Sequence, residues 1–221
     1  MMDNPEIPGK LFVKNLKELD WLNRYTGGHA ISIAGSKKLG LRKNKEYKLL
    51  DIGCGSGDSM LYLAKWARGE GYKIKFTGID TSRAAIDYLS YHCKTHSNIK
   101  GIKADCFSYL ENTGDFDIVH CSLFCHHLDD DELRRLFILL KEKTNHGIII
   151  NDLQRTRMAW YSSWLLPRLF NGTKLAKHDG PLSVLKAFKR WELERVLHQS
   201  GIYSYSIEPM WPFRYLITLK L

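Results

Sequence analysis

The hydrophobic residues of the N-terminal segment recur at intervals of three and four positions. This period runs from Leu11 to Leu22, stops at Gly27 and Gly28, and then resumes as far as residue 39. Such spacing is typical of one face of an amphipathic helix, and paired glycines interrupt helices. The pattern predicts two consecutive helices, and we interpret residues 1–45 as an N-terminal helical cap.

Beyond residue 45, short apolar runs alternate with amphipathic segments of about 10–15 residues. The runs have the length of buried strands, and the segments between them have the period of helices. This alternation predicts a parallel sheet whose right-handed connections place helices on both faces. The predicted strands cover 47–52, 73–79, 99–104, 116–121 and 147–150, and the predicted helices cover 59–69, 82–96 and 129–144.

The last third of the chain departs from this alternation. An aromatic-rich segment at 156–170 is followed by a polar stretch at 172–181, which predicts a loop, and by a helical period at 182–199. Two final apolar runs, 202–207 and 215–220, are close enough in sequence to form an antiparallel hairpin.

We therefore expect an α/β fold with a doubly wound, mostly parallel seven-stranded sheet, a C-terminal antiparallel hairpin strand and the N-terminal helical cap. The main domain is expected at residues 46–221. Within it, the segment at about 156–181 is interpreted as a lid-like insertion.

Composition narrows the class of protein without selecting a partner. Hydrophobic residues make up 44% and charged residues 26% of the 221, which is ordinary for a globular protein, and the net charge of +9 suits an anionic partner. The five cysteines are an odd number and no signal sequence opens the chain, so a reducing, cytoplasmic compartment is expected. No apolar stretch is long enough to predict a transmembrane segment.

The most informative motif joins the first strand to the next helix. Its sequence is Asp51-Ile52-Gly53-Cys54-Gly55-Ser56-Gly57. Glycines let the backbone turn sharply and approach a ligand closely, and a helix N-terminus favours polar or anionic groups. The spacing G-x-G-x-G differs from the G-x-G-x-x-G of dinucleotide enzymes, so a nicotinamide oxidoreductase is the poorer alternative.

An acidic residue accompanies the end of each of the first three predicted strands. Asp51 precedes the glycines, Asp80 ends the second strand, and Asp105 follows the third. Ligands of open α/β sheets bind at the carboxyl ends of strands, so these carboxylates are expected to face one crevice. Asp80 is suited to accept the hydroxyl groups of a ribose, and Asp105 to accept a hydrogen bond from an adenine amino group.

This combination resembles the class I S-adenosylmethionine (SAM)-dependent methyltransferases, by motif over residues 47–155 and by strand order over the rest. The resemblance implies the sheet order 3-2-1-4-5-7-6 and SAM as the cofactor. It implies that Asp51 and the glycines face the methionine end, Asp80 the ribose, and Asp105 with Cys106 the adenine. The cofactor-binding residues implied are Arg24, Asp51, Gly53, Cys54, Gly55, Gly57, Asp80, Thr81, Asp105, Cys106, Ser122 and His127.

The fourth strand leads into a histidine pair that resembles the family segment following the cofactor's sulfur. Adjacent His126 and His127 cannot point the same way, so we expect His126 to face the acceptor and His127 to cover the cofactor. The segment lacks the Asn/Asp-Pro-Pro-Tyr/Phe tetrapeptide of enzymes that methylate exocyclic amines of bases, and nucleic acid is therefore not the expected partner. Cys121 and Cys125 lack the paired spacing of a zinc site, and no metal site is predicted.

A second candidate base, His178, lies beside Asp179 in the predicted loop, where a solvent-exposed turn is the alternative interpretation. The sequence His178-Asp179-Gly180, like Asn23-Arg24 before the glycine pair, resembles small-molecule methyltransferases associated with type III polyketide synthases. That resemblance implies that Arg24 meets the cofactor's carboxylate and that His29 lines the pocket.

The aromatic-rich segment between Met158 and Phe170 allows three interpretations: a pocket wall or lid, plain packing, or a peripheral membrane contact favoured by Arg155, Arg157 and Arg168. Overall, we expect O-methylation of a small phenolic or polyketide-derived acceptor of aromatic or lipid-like character, with His126 or His178 as the catalytic base. Methylation at carbon, a methyltransferase acting on RNA or protein, and a SAM-binding regulatory module without turnover remain the alternatives.

Overall fold

The structure is a computed structural model that describes residues 9–169 and 172–221. Its elements alternate between helix and strand for most of the chain. In order they are α1 Gly9–Tyr25, α2 Gly28–Lys38, β1 Glu46–Ile52, α3 Asp58–Glu70, β2 Lys73–Asp80, α4 Arg83–His92, β3 Ile99–Lys103, α5 Cys106–Asn112, β4 Phe116–Ser122, a 3₁₀ turn Cys125–His127, α6 Asp130–Lys143, β5 Thr144–Leu153, α7 Arg157–Leu169, α8 Lys174–Lys186, α9 Arg190–Gln199, β6 Ser206–Met210 and β7 Arg214–Lys220.

The seven strands form one sheet in the order β3-β2-β1-β4-β5-β7-β6. Strands β1 to β5 pair in parallel, whereas β7 is antiparallel to both β5 and β6. The expected doubly wound sheet with a C-terminal hairpin is confirmed. The order reverses between β1 and β4, and ligands of such sheets bind outside the strand ends at this switch point.

Helices cover both faces of the sheet. One face packs Ile52, Val119 and Ile150 against α6 and α9, and these side chains are almost fully buried. The other face packs against α2, α3 and α4. Helix α2 lies directly on β5, since a Cβ atom added at Gly35 would fall 2.6 Å from Ile149 Cγ2. Helix α2 therefore forms part of the second face, next to the switch point.

The structure corrects three details of the sequence interpretation. Helix α5 was not predicted. The stretch 172–181 is not a loop, because α8 begins at Lys174 and continues through Gly180 and Pro181. The predicted helix 182–199 is interrupted at 187–189, where Phe188 forms a parallel bridge with Gln154. Packing of α8 on α7 outweighs the low helix propensity of glycine and proline.

The aromatic-rich segment 157–169 is helical, whereas Phe170 lies outside the described residues. Within the described ranges, no helix has the length and apolarity needed to cross a membrane. The division into a cap over 1–45 and a domain over 46–221 stays a prediction.

Candidate functional site

A cavity of about 1030 Å³ opens at the carboxyl ends of β1, β2, β3 and β4. Side chains of α1, among them Leu16 and Asn23, form its remaining wall. Most of the predicted cofactor-binding residues line it: Asp51, Gly53, Cys54, Gly55, Asp80, Thr81, Asp105, Cys106, Ser122 and His127. The sheet topology therefore brings together residues that four separate loops contribute.

Four predicted residues do not line this cavity. Arg24 is exposed at the end of α1, and its neighbour Asn23 faces the cavity instead. Gly57 packs against Leu89 instead, since a Cβ atom added at Gly57 would fall 2.9 Å from the Leu89 side chain. His126 is buried and His178 is exposed on α8.

The glycine turn depends on backbone conformations that L-residues rarely adopt. Gly53 has a φ of +68° and Gly55 a φ of +51°. A Cβ atom at Gly53 would also fall 2.5 Å from the ring of Phe124. The turn therefore presents bare backbone to the cavity, and a ligand can approach it closely.

Asp51 carries a buried oxygen atom that has no hydrogen-bond partner. Its Oδ1 accepts a hydrogen bond from His120 Nδ1 at 2.7 Å, while Oδ2 is buried and unpartnered. Buried carboxylate oxygens are rarely left unpaired, because desolvation without a partner is costly. Since Asp51 lines the cavity, Oδ2 is suited to accept a hydrogen bond from a cationic ligand group.

A hydrogen-bonded chain extends from Asp51 across the second face of the sheet. His120 Nε2 lies 2.8 Å from the hydroxyl of Ser32 on α2, and Asn151 Nδ2 donates to the same hydroxyl at 3.1 Å. The Asn151 amide also donates to the carbonyl of Gly28 at 2.8 Å. These bonds fix α2 over β4 and β5.

The chain ends at a buried arginine on β7. Arg214 donates to Asn151 Oδ1 at 3.2 Å and to Asn23 Oδ1 at 2.6 Å. Burial lowers the pKa of Arg214 to about 10, although Asp152 and Asp58 oppose the shift. Arg214 therefore positions Asn23, the residue of α1 that faces the cavity.

The sequence analysis did not identify four polar residues of this network: Ser32, His120, Asn151 and Arg214. The feature that could have indicated them is a polar side chain within an apolar run, as at His120.

Backbone N–H groups from two loops fix the orientation of the Asp80 carboxylate. Its Oδ2 accepts the Gly55 N–H at 3.1 Å and its Oδ1 accepts the Ser82 N–H at 2.8 Å. Asp105 is exposed and caps α5 by accepting the Ser108 N–H at 3.0 Å. Both carboxylates keep their positions through backbone hydrogen bonds, so the cavity edge is pre-organised.

His126 forms a buried pair with Asp152, which sequence reasoning had not singled out. His126 Nδ1 lies 2.6 Å from Asp152 Oδ1, and the carboxylate also accepts the backbone N–H groups of His126 and Leu153. Burial alone would raise the pKa of Asp152, but His126 and these N–H groups outweigh it and lower the pKa. Asp152 thus fixes the orientation of the His126 ring through Nδ1, while Nε2 has no hydrogen-bond partner among the described residues.

The other candidate histidines have different environments. His178 is half exposed, with Nδ1 2.8 Å from Asp179 Oδ1. His29 is buried behind the cavity, where Nε2 lies 3.2 Å from Asp20, and burial lowers its pKa against the opposing charges of Asp58 and Asp20. Ligand atoms of Asp20, His29 and Asp58 lie within 4.8 Å of one another, and the hydrogen bond of His29 to Asp20 accounts for this grouping without a metal ion.

All five cysteines are buried and unpaired. Burial raises the pKa of the Cys106 thiol, which lies at the cavity, to about 12. The protonated thiol is a poor nucleophile, and Cys106 contributes shape to the wall.

Comparisons with known proteins agree with this geometry. A family model described as a methyltransferase domain matches residues 49–147. The chain is 27% identical over 169 residues to the mitochondrial ubiquinone biosynthesis O-methyltransferase of Saccharomyces cerevisiae; the match covers 73% of the chain but half the length of that relative.

Solved structures share the fold. A SAM-dependent methyltransferase from Aquifex aeolicus superposes with a TM-score of 0.65 at 18% identity, covering 93% of this chain and 96% of that one. A putative O-methyltransferase from Nostoc punctiforme gives a TM-score of 0.64 at 14% identity, covering 93% of this chain and 60% of that one.

Proposed function

We propose that the chain is a class I SAM-dependent methyltransferase that transfers a methyl group from SAM to a hydroxyl oxygen of a small phenolic or polyketide-derived acceptor; the methyltransferase-domain match over residues 49–147 supports the reaction class. The observation that carries the proposal is the buried His126–Asp152 pair beside a cavity lined by a buried carboxylate, Asp51, that has an unpartnered oxygen.

The cavity residues fit the cofactor's polar groups one by one. Asp51 Oδ2 would accept from the ammonium group and Asp80 from the ribose hydroxyls, while the bare backbone at Gly53 would allow the close approach. Asp105 and Cys106 would flank the adenine. Bound SAM supplies a methyl group on a positively charged sulfur, which is already activated as a leaving group.

His126 acts as the general base in this proposal. Its Nε2 takes the proton from the acceptor's hydroxyl group as the oxygen becomes nucleophilic, and Asp152 stabilises the imidazolium that forms. His126 is buried and the 3₁₀ turn that carries it contacts α8, so this proposal requires the acceptor to enter between the two elements. Closure of α8 over the acceptor then excludes water. His178, half exposed on α8, is the second candidate base.

The acceptor class is supported by the charges around the cavity. Its lining carboxylates are Asp51, Asp58, Asp80, Asp87, Asp105 and Glu132, whereas the lining basic side chains are Arg83 and Lys103. A polyanion such as RNA is repelled by this balance, despite the net charge of +9. The name of the yeast relative, an O-methyltransferase, supports oxygen as the methylated atom.

Two measurements test the proposal. Calorimetric titration with SAM should give saturable binding that Asp51→Asn weakens about 10- to 100-fold, the effect of one charged hydrogen bond. Asp117→Asn is the control, because the Asp117 carboxylate likewise accepts from a cationic side chain, Lys45, but lies outside the cavity. Absence of SAM binding would exclude the function.

Turnover of a panel of phenols then tests the base. His126→Gln should lower kcat by about 10²–10⁴-fold with SAM affinity unchanged. His198→Gln, on the exposed side of α9, is the control. If His126→Gln and His178→Gln each leave kcat within a few-fold of the original protein, both base assignments are wrong.

A further inference from the structure

Helix α7 exposes more large apolar side chains than it buries. Ala159 is its buried residue, whereas Met158, Tyr161 and Leu169 are 68%, 63% and 66% exposed. Leu165, at 45%, completes the set. Their spacing of three and four residues places these four side chains, here called the α7 stripe, along one face of the helix.

No described element covers the α7 stripe. Helix α8 packs on a different side of α7, since a Cβ atom at Gly180 would lie 3.3 Å from the carbonyl oxygen of Ser163. Tyr161 and Leu165 are each two positions from Ser163 in the sequence. At 100° per residue, their side chains lie about 200° around the helix axis from that of Ser163. The stripe therefore points away from α8, and an apolar surface of this kind marks an interaction site.

Positive charge borders the stripe. Arg157 is exposed at the start of α7, and Arg168 lies over the ring of Trp164, 4.4 Å from its centroid. Helix α7 contains no acidic residue. From residue 155 to 186 the sequence has six basic residues and one acidic residue, Asp179, which is hydrogen-bonded to His178.

We propose that the α7 stripe is the docking surface for a membrane leaflet rich in anionic phospholipid. A helix with an apolar face, a bordering tryptophan and arginines lies in the plane of the interface, with its apolar side chains among the acyl chains. The arginines then pair with the phosphate headgroups, and Trp164 sits at the boundary. The charge selects this occupant over a neutral apolar protein surface. The inference goes beyond the proposed function and does not depend on it.

Vesicle co-sedimentation of the full chain tests the inference. The original protein should bind vesicles of equal parts phosphatidylcholine and phosphatidylglycerol, and bind phosphatidylcholine alone at least about tenfold more weakly. Tyr161→Ser combined with Leu165→Ser should reduce binding to the mixed vesicles about tenfold or more. Arg157→Gln with Arg168→Gln should remove the preference for the anionic lipid.

Two exposed aromatic residues outside α7 provide the control. Trp211 and Tyr203 are 80% and 75% exposed, and Tyr203→Ser with Trp211→Ser should leave vesicle binding unchanged. Far-ultraviolet circular dichroism and SAM titration verify that each variant is folded. The inference is overturned if the protein binds neither vesicle, if it binds both equally, or if the stripe variants bind as well as the original. It is also overturned if sedimentation equilibrium shows a dimer that the stripe variants dissociate.

Discussion

Replacing Asp152 with asparagine changes a charge while keeping the shape of the side chain. The Asp152 carboxylate accepts three hydrogen bonds, two of them from backbone N–H groups, and holds the Nδ1 proton of His126 at 2.6 Å. The Leu153 N–H and His126 Nδ1 share one carboxylate oxygen, Oδ1, so an asparagine in this place keeps its amide oxygen there and still accepts from Nδ1. What is lost is the negative charge that stabilises the imidazolium formed when Nε2 takes the acceptor's proton.

The expected loss in kcat is large because the base is deprived of its counter-charge in a buried site. General-base catalysis contributes about 10²–10⁴-fold, so Asp152→Asn should lower kcat by about 10³-fold, or roughly 4 kcal/mol of transition-state stabilisation. The free energy of unfolding should fall by about 1–3 kcal/mol, since hydrogen bonds to a charged group are lost. SAM affinity should not change, because Asp152 does not line the cavity.

Steady-state methylation of a phenol and urea unfolding measure the two effects separately. Asp117→Asn is the matched control, and it should lose stability but retain kcat. If Asp152→Asn keeps kcat within tenfold of the original protein while remaining folded, the histidine–aspartate pair does not supply the base.

Two further predictions concern stability. The pKa of Asp152 is lower in the folded protein than its usual value. The ionised Asp152 carboxylate therefore stabilises the fold above the unfolded pKa of about 4, and this stabilisation is lost as the pH falls through the folded pKa. Urea unfolding between about pH 5 and pH 3 should show a steeper loss of stability for the original protein than for Asp152→Asn, and parallel curves would contradict the assignment. Gly53→Ala should destabilise the protein more than Gly27→Ala, although both glycines have positive φ, because a Cβ atom meets Phe124 at Gly53 and nothing within 4 Å at Gly27. Backbone strain alone costs about 1–2 kcal/mol, so thermal unfolding should show a larger decrease for Gly53→Ala, and equal decreases would refute the steric argument.

Local patterns were sufficient to predict the sheet and most of the residues that line the cavity. Strand–helix alternation and the hairpin near the C-terminus predicted the sheet, and the strand order implied by the family resemblance is confirmed. The glycine turn and the acids after β1, β2 and β3 were identified because each is adjacent in sequence to a strand end, and parallel strands bring those ends to one edge. Helix α8 was missed because Gly180-Pro181 is a strong local turn signal, and only its packing on α7 overrides it.

The buried polar pairs around the cavity depended on tertiary structure. The bond between Arg214 and Asn23 joins residues 191 positions apart, and Asp152 meets His126 from a neighbouring strand. Sequence alone determined which strands exist and which strand ends carry acidic or glycine residues, because these are properties of adjacent residues. The tertiary structure alone decided which buried polar groups pair with one another, because that depends on strand pairing and on the face each side chain takes across the sheet.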